Sequence, residues 1–257
     1  MIATADKLLQ NKVAIVTGGN GGIGFGIAQG LLAASCAVII AGRDRKKNES
    51  TLETLRKTHT ECKDFIFDAN SESSRKNLIN FALETYGRVD ILVNNAGITR
   101  RSLEPDLLSD LDWRQVVDTN LNSIHYLTSA LVPNMKKAGS GKIINIGSMM
   151  SIFGSGYAAS YSASKGGVVQ YTKSCAVAWA KYNIQVNAIL PGWIDTQMTD
   201  GLKTSAPVRY QEITGRIPAN RWGRPEDMAG IAVFLSSQMS DYITGAAIPV
   251  DGGYSVY

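Results

Sequence analysis

Cysteine is scarce in this sequence of 257 residues, and the positions of its three cysteines exclude a disulfide framework and a zinc site. Cys36, Cys62 and Cys175 lie far apart, and no two of them have the CxxC spacing. Cys36 and Cys175 stand in apolar segments, which indicates packing in a core. We therefore expect reduced thiols, a cytoplasmic protein and no bound metal.

Long apolar runs are lacking as well. The longest, such as 37–41 and 231–235, are far shorter than the ~18 residues that a membrane-spanning helix needs. Residues 1–11 contain no apolar block of signal-peptide length. We expect a protein that does not enter a membrane.

Charge of one sign is not in large excess, because the formal net charge is only +4. A hydrophobic share of 44% excludes a disordered chain. The basic residues are scattered, which favours a solvated surface over a nucleic-acid interface. We expect a globular protein whose partner is a small molecule.

Short apolar segments alternate with helix-length segments along the chain. The predicted strands are 13–16, 37–41, 65–67, 91–93, 142–146, 185–189 and 246–250. The predicted helices are 23–34, 48–57, 73–86, 113–137, 161–181 and 225–236. This pattern predicts an α/β protein with a single Rossmann-fold domain over 1–257, in which a doubly wound parallel sheet of seven strands has helices on both faces. The weakly periodic segment 193–224 predicts a mobile loop.

A glycine-rich turn, TGGNGGIG, follows the first predicted strand and precedes a predicted helix. Glycines at such a turn allow a tight bend and a close approach of the backbone to a pyrophosphate. The register is open, since Gly18, Gly22 and Gly24 fit TGxxxGxG, while Gly19, Gly21 and Gly24 fit GxGxxG. The position between strand and helix favours a dinucleotide site over a plain turn.

The end of the second predicted strand bears on the choice of cofactor. An acidic residue at the strand end would bind a ribose 2′-hydroxyl, but Gly42 stands there and Arg43 follows. Arginine suits a phosphate, which favours NADP over NAD. Asp44 could reverse this preference, and the segment also fits the start of a solvated helix.

Tyr161 and Lys165 are four residues apart in a predicted helix, so their side chains share one face. An ammonium beside a phenol lowers the pKa of the phenol from about 10, which allows proton exchange near neutral pH. The spacing alone also fits an exposed helix face. Ser148 and Asn94 follow predicted strands, at the edge where open α/β sheets bind ligands. Asn120 lies within a predicted helix. If its side chain is buried, it must form hydrogen bonds and so has a structural or functional role; if it is exposed, no such role is implied.

Together these motifs resemble the short-chain dehydrogenase/reductase family over essentially the whole chain. The resemblance is carried by TG at 17–18, NNAG at 94–97, Asn120, Ser148, YxxxK at 161–165, PG at 191–192, YITG at 242–245 and VDGG at 250–253. The family usually forms tetramers, which implies a homotetramer here.

The resemblance implies four catalytic residues. Tyr161 would be the general acid in reduction and the general base in oxidation. Lys165 would hold the nicotinamide ribose and lower the pKa of Tyr161. Ser148 would hydrogen-bond the substrate oxygen, and Asn120 would hold a water that links Lys165 to solvent. Hydride would pass between C4 of the nicotinamide and a carbonyl carbon.

The resemblance also implies binding residues. The expected cofactor contacts are Gly18, Asn20, Gly22, Ile23, Gly24, Arg43, Asp44, Asp68, Ala69, Asn94, Ala96, Gly97, Tyr161, Lys165, Pro191, Gly192, Ile194 and Thr196. Asp68 would meet the adenine. The wall beside the adenosine ribose would be formed by Asn94, Ala96 and Gly97. The expected substrate contacts are Ser148, Met150, Tyr161 and Trp193.

Two departures from family patterns bear on these expectations. Many NADP-using members have a basic residue in the glycine turn, where Gly21 stands here, and this weakens the NADP prediction. Acyl-carrier-protein reductases of the family often have an arginine near the position of Tyr182, which weakens that alternative.

The sequence leaves two classes of substrate open, a keto-sugar acid and a 3-oxoacyl thioester. Segments 142–150, 160–165, 179–181 and 216–223 resemble sugar-acid dehydrogenases of the gluconate 5-dehydrogenase and 2-deoxygluconate 3-dehydrogenase kind, which predicts a keto-sugar acid such as a ketogluconate. Four arginines are candidates to pair with the substrate carboxylate: Arg100, Arg101, Arg209 and Arg216. The alternative is that they are only surface residues.

A 3-oxoacyl-thioester reductase is the alternative, and it would need a longer apolar groove beside Met150 and Trp193. A non-catalytic dinucleotide-sensing regulator is the alternative from another class, although a sensor has no use for the complete catalytic set. A structural subunit that binds no nucleotide is disfavoured by the glycine turn.

Overall fold

The computed structural model describes residues 7–59 and 61–257, and these residues form one parallel sheet of seven strands in the order β3-β2-β1-β4-β5-β6-β7. The strands are β1 (Val13–Thr17), β2 (Ala37–Gly42), β3 (Cys62–Ile66), β4 (Ile91–Asn94), β5 (Gly141–Ile146), β6 (Ile184–Pro191) and β7 (Ala247–Val250). The predicted parallel sheet is confirmed.

Nine α-helices lie in the described residues. They are α1 (Gly22–Ala33), α2 (Arg45–Arg56), α3 (Glu72–Tyr86), α4 (Asp110–Val117), α5 (Ser123–Ala138), α6 (Ala159–Trp179), α7 (Asp200–Ser205), α8 (Pro207–Gly215) and α9 (Ala229–Ser236). Side-chain caps set several boundaries: Ser71 and Ser109 accept amide hydrogens at the starts of α3 and α4. Gly87 and Gly139 end α3 and α5 in the left-handed conformation that glycine tolerates.

Helices cover both faces of the sheet, because successive strand residues point to opposite sides. In β1, Ala14 and Val16 join a core cluster with α1, α2 and α9, whereas Ile15 joins a cluster with α3, α5 and α6. The inner strands β1, β4 and β6 are buried at every position, and β5 is buried at every position except Lys142. Both apolar layers fix the sheet, so its carboxyl edge is a rigid platform.

Three elements differ from the sequence prediction. The helix predicted at 113–137 is divided by a π-helical turn, Asp118–Asn122. The strand predicted at 65–67 runs over Cys62–Ile66, since an edge strand with one neighbour tolerates the polar residues Lys63 and Asp64. The segment 193–224 is not one mobile loop, because it contains α7 and α8, which the short mixed pattern did not reveal.

No helix in the described part of the chain has the length and apolarity needed to cross a membrane. The same residues contain no cluster of three or more His, Cys, Asp or Glu side chains that could hold a metal ion.

Candidate active site

A cavity of about 700 Å³ lies at the carboxyl edge of the sheet. Strand β1 has β2 on one side and β4 on the other, so the chain reverses its direction of winding beside β1. Open α/β sheets bind ligands at such a point. The predicted residues that line the cavity are Gly18, Asn20, Gly22, Ile23, Arg43, Asp44, Asp68, Ala69, Ala96, Gly97, Ser148, Tyr161, Lys165, Pro191, Gly192, Ile194 and Thr196.

The glycine turn follows the TGxxxGxG register. Gly18 and Gly22 have φ angles of +64° and +50°, which side chains other than glycine rarely adopt. A Cβ at Gly24 would collide with the carbonyl oxygen of Gly18, so Gly24 serves the packing of α1 on the turn and does not line the cavity. Gly21 offers no side-chain cap to α1, which leaves the first amides of this helix free. Free amides, a helix dipole and an open cavity fit a dinucleotide pyrophosphate.

Lys47 covers the glycine turn, a feature that sequence reasoning missed. A Cβ at Gly21 would lie 2.8 Å from the Lys47 ammonium, which donates a hydrogen bond to Oε1 of Gln197 at 3.0 Å. Both residues line the cavity beside Arg43. Asp44 caps α2 by accepting the amide hydrogen of Lys47 at 3.1 Å. The positive charge missing at position 21 is therefore supplied from α2.

Of the adjacent Asn94 and Asn95, the second lines the cavity. Asn94 is buried, and its amide nitrogen donates to Asn145 Oδ1 at 2.8 Å and to Thr128 Oγ1 at 3.1 Å. Asn95 instead donates to the carbonyl oxygen of Thr17 at 2.9 Å. The first asparagine thus joins the sheet to α5, and the second holds the glycine turn.

Ser148, Tyr161 and Lys165 meet on one wall of the cavity. Ser148 stands two residues after the end of β5, while Tyr161 and Lys165 lie in the first turns of α6. The Ser148 hydroxyl accepts the amide hydrogen of Met150 at 3.1 Å. A serine, a phenol and an ammonium at one wall can hydrogen-bond an oxygen and move a proton.

The surroundings of Tyr161 correct one expectation from the sequence. Burial of the phenol raises its pKa above the usual 10.0, and a hydrogen bond with Ser148 acts in the lowering direction. Lys165 does not lower this pKa here, because its ammonium lies 5.7 Å from the ring centre and donates to the carbonyl oxygen of Ile146 at 2.6 Å. The four-residue spacing predicted that Tyr161 and Lys165 share one face of the helix, but it did not predict the distance between the ammonium and the phenol ring.

Lys165 is only 3% exposed. Burial disfavours its charged form and lowers the pKa of the ammonium from 10.5 to about 8. The lysine therefore gains or loses a proton close to neutral pH.

Asn120 is fully buried in the π-helical turn and does not line the cavity. Its carboxamide oxygen accepts the amide hydrogen of Ile98 at 2.8 Å, and its nitrogen donates to the carbonyl oxygen of Ile98 at 2.9 Å. A Cβ at Gly97 would lie 3.2 Å from this carboxamide oxygen and 3.7 Å from the Lys165 ammonium. The Asn120 carboxamide oxygen and the Lys165 ammonium thus both lie next to Gly97. The extra residue of the π turn places the Asn120 side chain there.

Met150 and Trp193, predicted as substrate contacts, do not line the cavity. Both pack into an aromatic cluster with Tyr210 and Trp222, whose rings stack at 4.6 Å. Helix α8 thus packs on the segment that follows Ser148.

Comparison with known proteins agrees with this fold. A family model described as enoyl-(acyl carrier protein) reductase matches residues 18–255. A 2-dehydro-3-deoxy-D-gluconate 5-dehydrogenase from Dickeya dadantii is 41% identical over 247 residues, which cover 96% of this chain and 96% of the relative. The 3-oxoacyl-[acyl-carrier-protein] reductase FabG of Chlamydia pneumoniae is 39% identical over 248 residues, 96% of this chain and 98% of the relative.

Among solved structures, a protein from Agrobacterium tumefaciens assigned as a 2-deoxy-D-gluconate 3-dehydrogenase, with bound NADP, superposes with a TM-score of 0.90. It is 39% identical, and the match covers 99% of this chain and 100% of that one. The chain therefore belongs to the short-chain dehydrogenase/reductase family. It is an oxidoreductase that acts on CH–OH groups with NAD or NADP.

Proposed function

We propose that this protein interconverts a keto-sugar acid, such as a ketogluconate, and its secondary alcohol, with NADP as the preferred cofactor. The observation that carries the proposal is that Ser148, Tyr161 and Lys165 line the same cavity as the glycine turn. The bound dinucleotide supplies or accepts the hydride.

The protein's own residues bind the substrate oxygen and move its proton. The Tyr161 hydroxyl gives its proton to the oxygen in reduction and takes it back in oxidation. Ser148 hydrogen-bonds the same oxygen as its charge changes. Lys165 would hold the ribose hydroxyls of a bound dinucleotide, and its positive charge would then favour the phenolate of Tyr161. Asn120 holds a water next to the Lys165 ammonium, which connects the proton to solvent.

The preference for NADP rests on charges at the adenosine end. Arg43 and Lys47 line the cavity, and Lys47 lies directly over the glycine turn. Asp44 is engaged as the cap of α2, which reduces its repulsion of a 2′-phosphate. The Agrobacterium relative, crystallised with NADP, supports the same choice.

The choice of a sugar acid rests on the arginines near the substrate end. The guanidinium of Arg209 lies 4.5 Å from the ring centre of Tyr157, and no carboxylate of the described residues pairs with it. Arg216 lies over Tyr254 in the same way, at 4.5 Å. Arg100 is less available, because Asp112 accepts its hydrogen bond at 3.1 Å. Helix α8 places Arg209 beside Tyr157, in the segment between Ser148 and Tyr161 where a substrate carboxylate would bind, and Arg216 follows the end of α8.

A 3-oxoacyl-thioester reductase is the second candidate, because the Chlamydia FabG is nearly as similar as the sugar-acid enzyme. Tyr182, at the position where an arginine is common in such reductases, is flanked by the ammonium groups of Lys136 and Lys181 at 4.6 and 5.2 Å from its ring centre. The close packing of Met150 and Trp193 argues against a thioester arm beside them.

A substrate panel tests the proposal. Purified protein is mixed with NADPH or NADH and with 5-keto-D-gluconate or acetoacetyl-CoA, and absorbance is followed; oxidation of D-gluconate and 2-dehydro-3-deoxy-D-gluconate is assayed with NADP or NAD. We expect the sugar acids to react and Arg209→Ala to raise their KM by about tenfold. Faster reaction with the thioester would favour the second candidate, and binding of NADPH without turnover of any compound would favour the regulator.

Assembly and location complete the proposal. A homotetramer fits the apolar residues left exposed on α4 to α6, such as Trp113, Tyr126 and Val177. All three cysteines are unpaired and buried, which fits the reducing cytoplasm.

A further inference from the structure

Ser151 joins the backbones of two proposed catalytic residues with a single hydroxyl group. It closes the 3-10 turn Met149–Ser151 that follows Ser148. Its hydroxyl donates to the carbonyl oxygen of Lys165 at 2.7 Å and accepts the amide hydrogen of Ser148 at 3.2 Å. Ser151 does not line the cavity, so it acts only through its neighbours.

The bond to Lys165 is not needed to complete helix α6. A carbonyl inside an α-helix already accepts the amide hydrogen four residues later. The bond from Ser151 therefore adds a connection between the segment after β5 and the turn of α6 that carries Tyr161 and Lys165.

Two other hydrogen bonds connect α6 with β5. One joins the Lys165 ammonium to Ile146, and the proposed function requires the ammonium to leave that carbonyl for the ribose. The other joins Asn145 Nδ2 to Thr172 Oγ1 at 2.9 Å, two helical turns beyond Lys165. With Lys165 bound to a dinucleotide, the bond from Ser151 to the Lys165 carbonyl would still join the two segments at the level of the reacting groups.

We propose that Ser151 is a positioning residue that holds Ser148 at a fixed distance from Tyr161 and Lys165. The inference rests on the proposed roles of these three residues. Ser148 and Tyr161 must reach the same substrate oxygen from separate segments, so a small shift of one segment misplaces one hydrogen bond. Misplacement by about 1 Å can cost about 100-fold in rate.

The test compares Ser151→Ala, Ser151→Thr and the control Ser160→Ala. Ser160 is a fully buried serine next to Tyr161, and its hydroxyl has no hydrogen-bond partner among the described residues. The variants are assayed with NADPH and the best substrate of the panel above, together with NADPH affinity and thermal melting.

We expect Ser151→Ala to lower kcat by about 10- to 100-fold, with the NADPH dissociation constant within about twofold of the wild type. Ser151→Thr keeps the hydroxyl and should recover kcat to within about threefold. Ser160→Ala should match the wild type in all measurements.

The inference is overturned if Ser151→Ala matches Ser160→Ala in kcat. It is also overturned if its loss of kcat comes with an equal loss of NADPH affinity or of cooperative melting, because that pattern indicates general damage. A folded Ser151→Thr that remains as slow as Ser151→Ala overturns it too. A wild type that reacts with no compound of the panel overturns the proposed function itself, and with it the inference.

Discussion

Lys165 is a buried, ionisable residue at the centre of the site. Its identity and spacing from Tyr161 are visible in the sequence, but its depth is not, because depth depends on the packing of α6 against β5. The ammonium is 3% exposed, and its nearest bond is to Ile146 rather than to the phenol. Sequence spacing thus predicted the pair, while the electrostatic effect on each partner required the fold.

Replacing Lys165 by methionine should change how stability depends on pH. Below about pH 8 this lysine is charged in both the folded and the unfolded chain, so folding bears the full desolvation cost. Between about pH 8 and 10.5 the unfolded chain binds more protons at this residue, so wild-type stability rises with pH relative to Lys165→Met. We expect the difference between the two proteins to shift by roughly 2–3 kcal/mol over this range.

Urea unfolding of both proteins from pH 7 to 10.5 measures this difference. Lys173→Met, which removes an exposed lysine of the same helix, is the control. A difference between wild type and Lys165→Met that stays constant over the range would show that Lys165 titrates alike in both states.

Lys47 illustrates a site residue that sequence motifs alone could not reveal. It lies 26 positions after Gly21 in the chain, in a charged segment that resembles any solvated helix start. Only the packing of α2 beside the glycine turn brings the ammonium to the cavity.

The Lys47→Ala variant should lose part of its preference for NADPH. Removal of one charge near a 2′-phosphate should raise the KM for NADPH by about tenfold and leave that for NADH within about twofold. Steady-state kinetics with both cofactors measures the ratio, and Lys46→Ala, an exposed neighbour outside the cavity, serves as the control. Equal changes for both cofactors would contradict a role at the 2′-phosphate.

Helices and inner strands were predictable because each buries a continuous apolar pattern, whereas three features depend on tertiary contacts. The π-helical turn at Asp118–Asn122 joins α4 to α5 without a break in helical structure, so the segment 113–137 was predicted as one helix. Helices α7 and α8 are short and mostly exposed, which leaves little periodicity to detect. Strand β3 lies at the edge and tolerates polar residues.

Helix α1 packs against the 3-10 turn Pro225–Met228 through Gly26, which is fully buried in a helix interior. A Cβ at this position would collide with the carbonyl group of Pro225. We expect Gly26→Ala to destabilise the protein by about 1–3 kcal/mol, because backbone atoms must move apart.

Gly230→Ala in α9 is the matched control, since a Cβ there meets nothing within 4 Å. This change should leave stability equal or raise it by up to about 1 kcal/mol. Chemical denaturation of the two variants gives the comparison. A Gly26→Ala protein as stable as Gly230→Ala would show that α1 can shift from the turn without cost.

At the scale of the whole molecule, large apolar side chains remain exposed on α4, α5 and α6. Trp113 and Tyr126 are nearly half exposed, and Val177 is 85% exposed. Such residues are typical of surfaces that are covered in an assembly.

Light scattering after size exclusion should therefore detect particles of four chains. Val177→Arg places a charge on this surface, and we expect it to yield smaller particles with an unchanged fold by circular dichroism. A wild-type protein that is monomeric at micromolar concentration would contradict the proposed tetramer.

The role of Tyr161 is tested most directly by the rate at which Tyr161→Phe oxidises NADPH in the presence of 5-keto-D-gluconate, measured together with its affinity for NADPH. Phenylalanine keeps the ring and removes the proton donor, so the rate should fall by about 100-fold or more while the affinity stays within about twofold. A Tyr161→Phe variant that binds NADPH and retains more than about a tenth of the wild-type rate would contradict proton transfer by Tyr161.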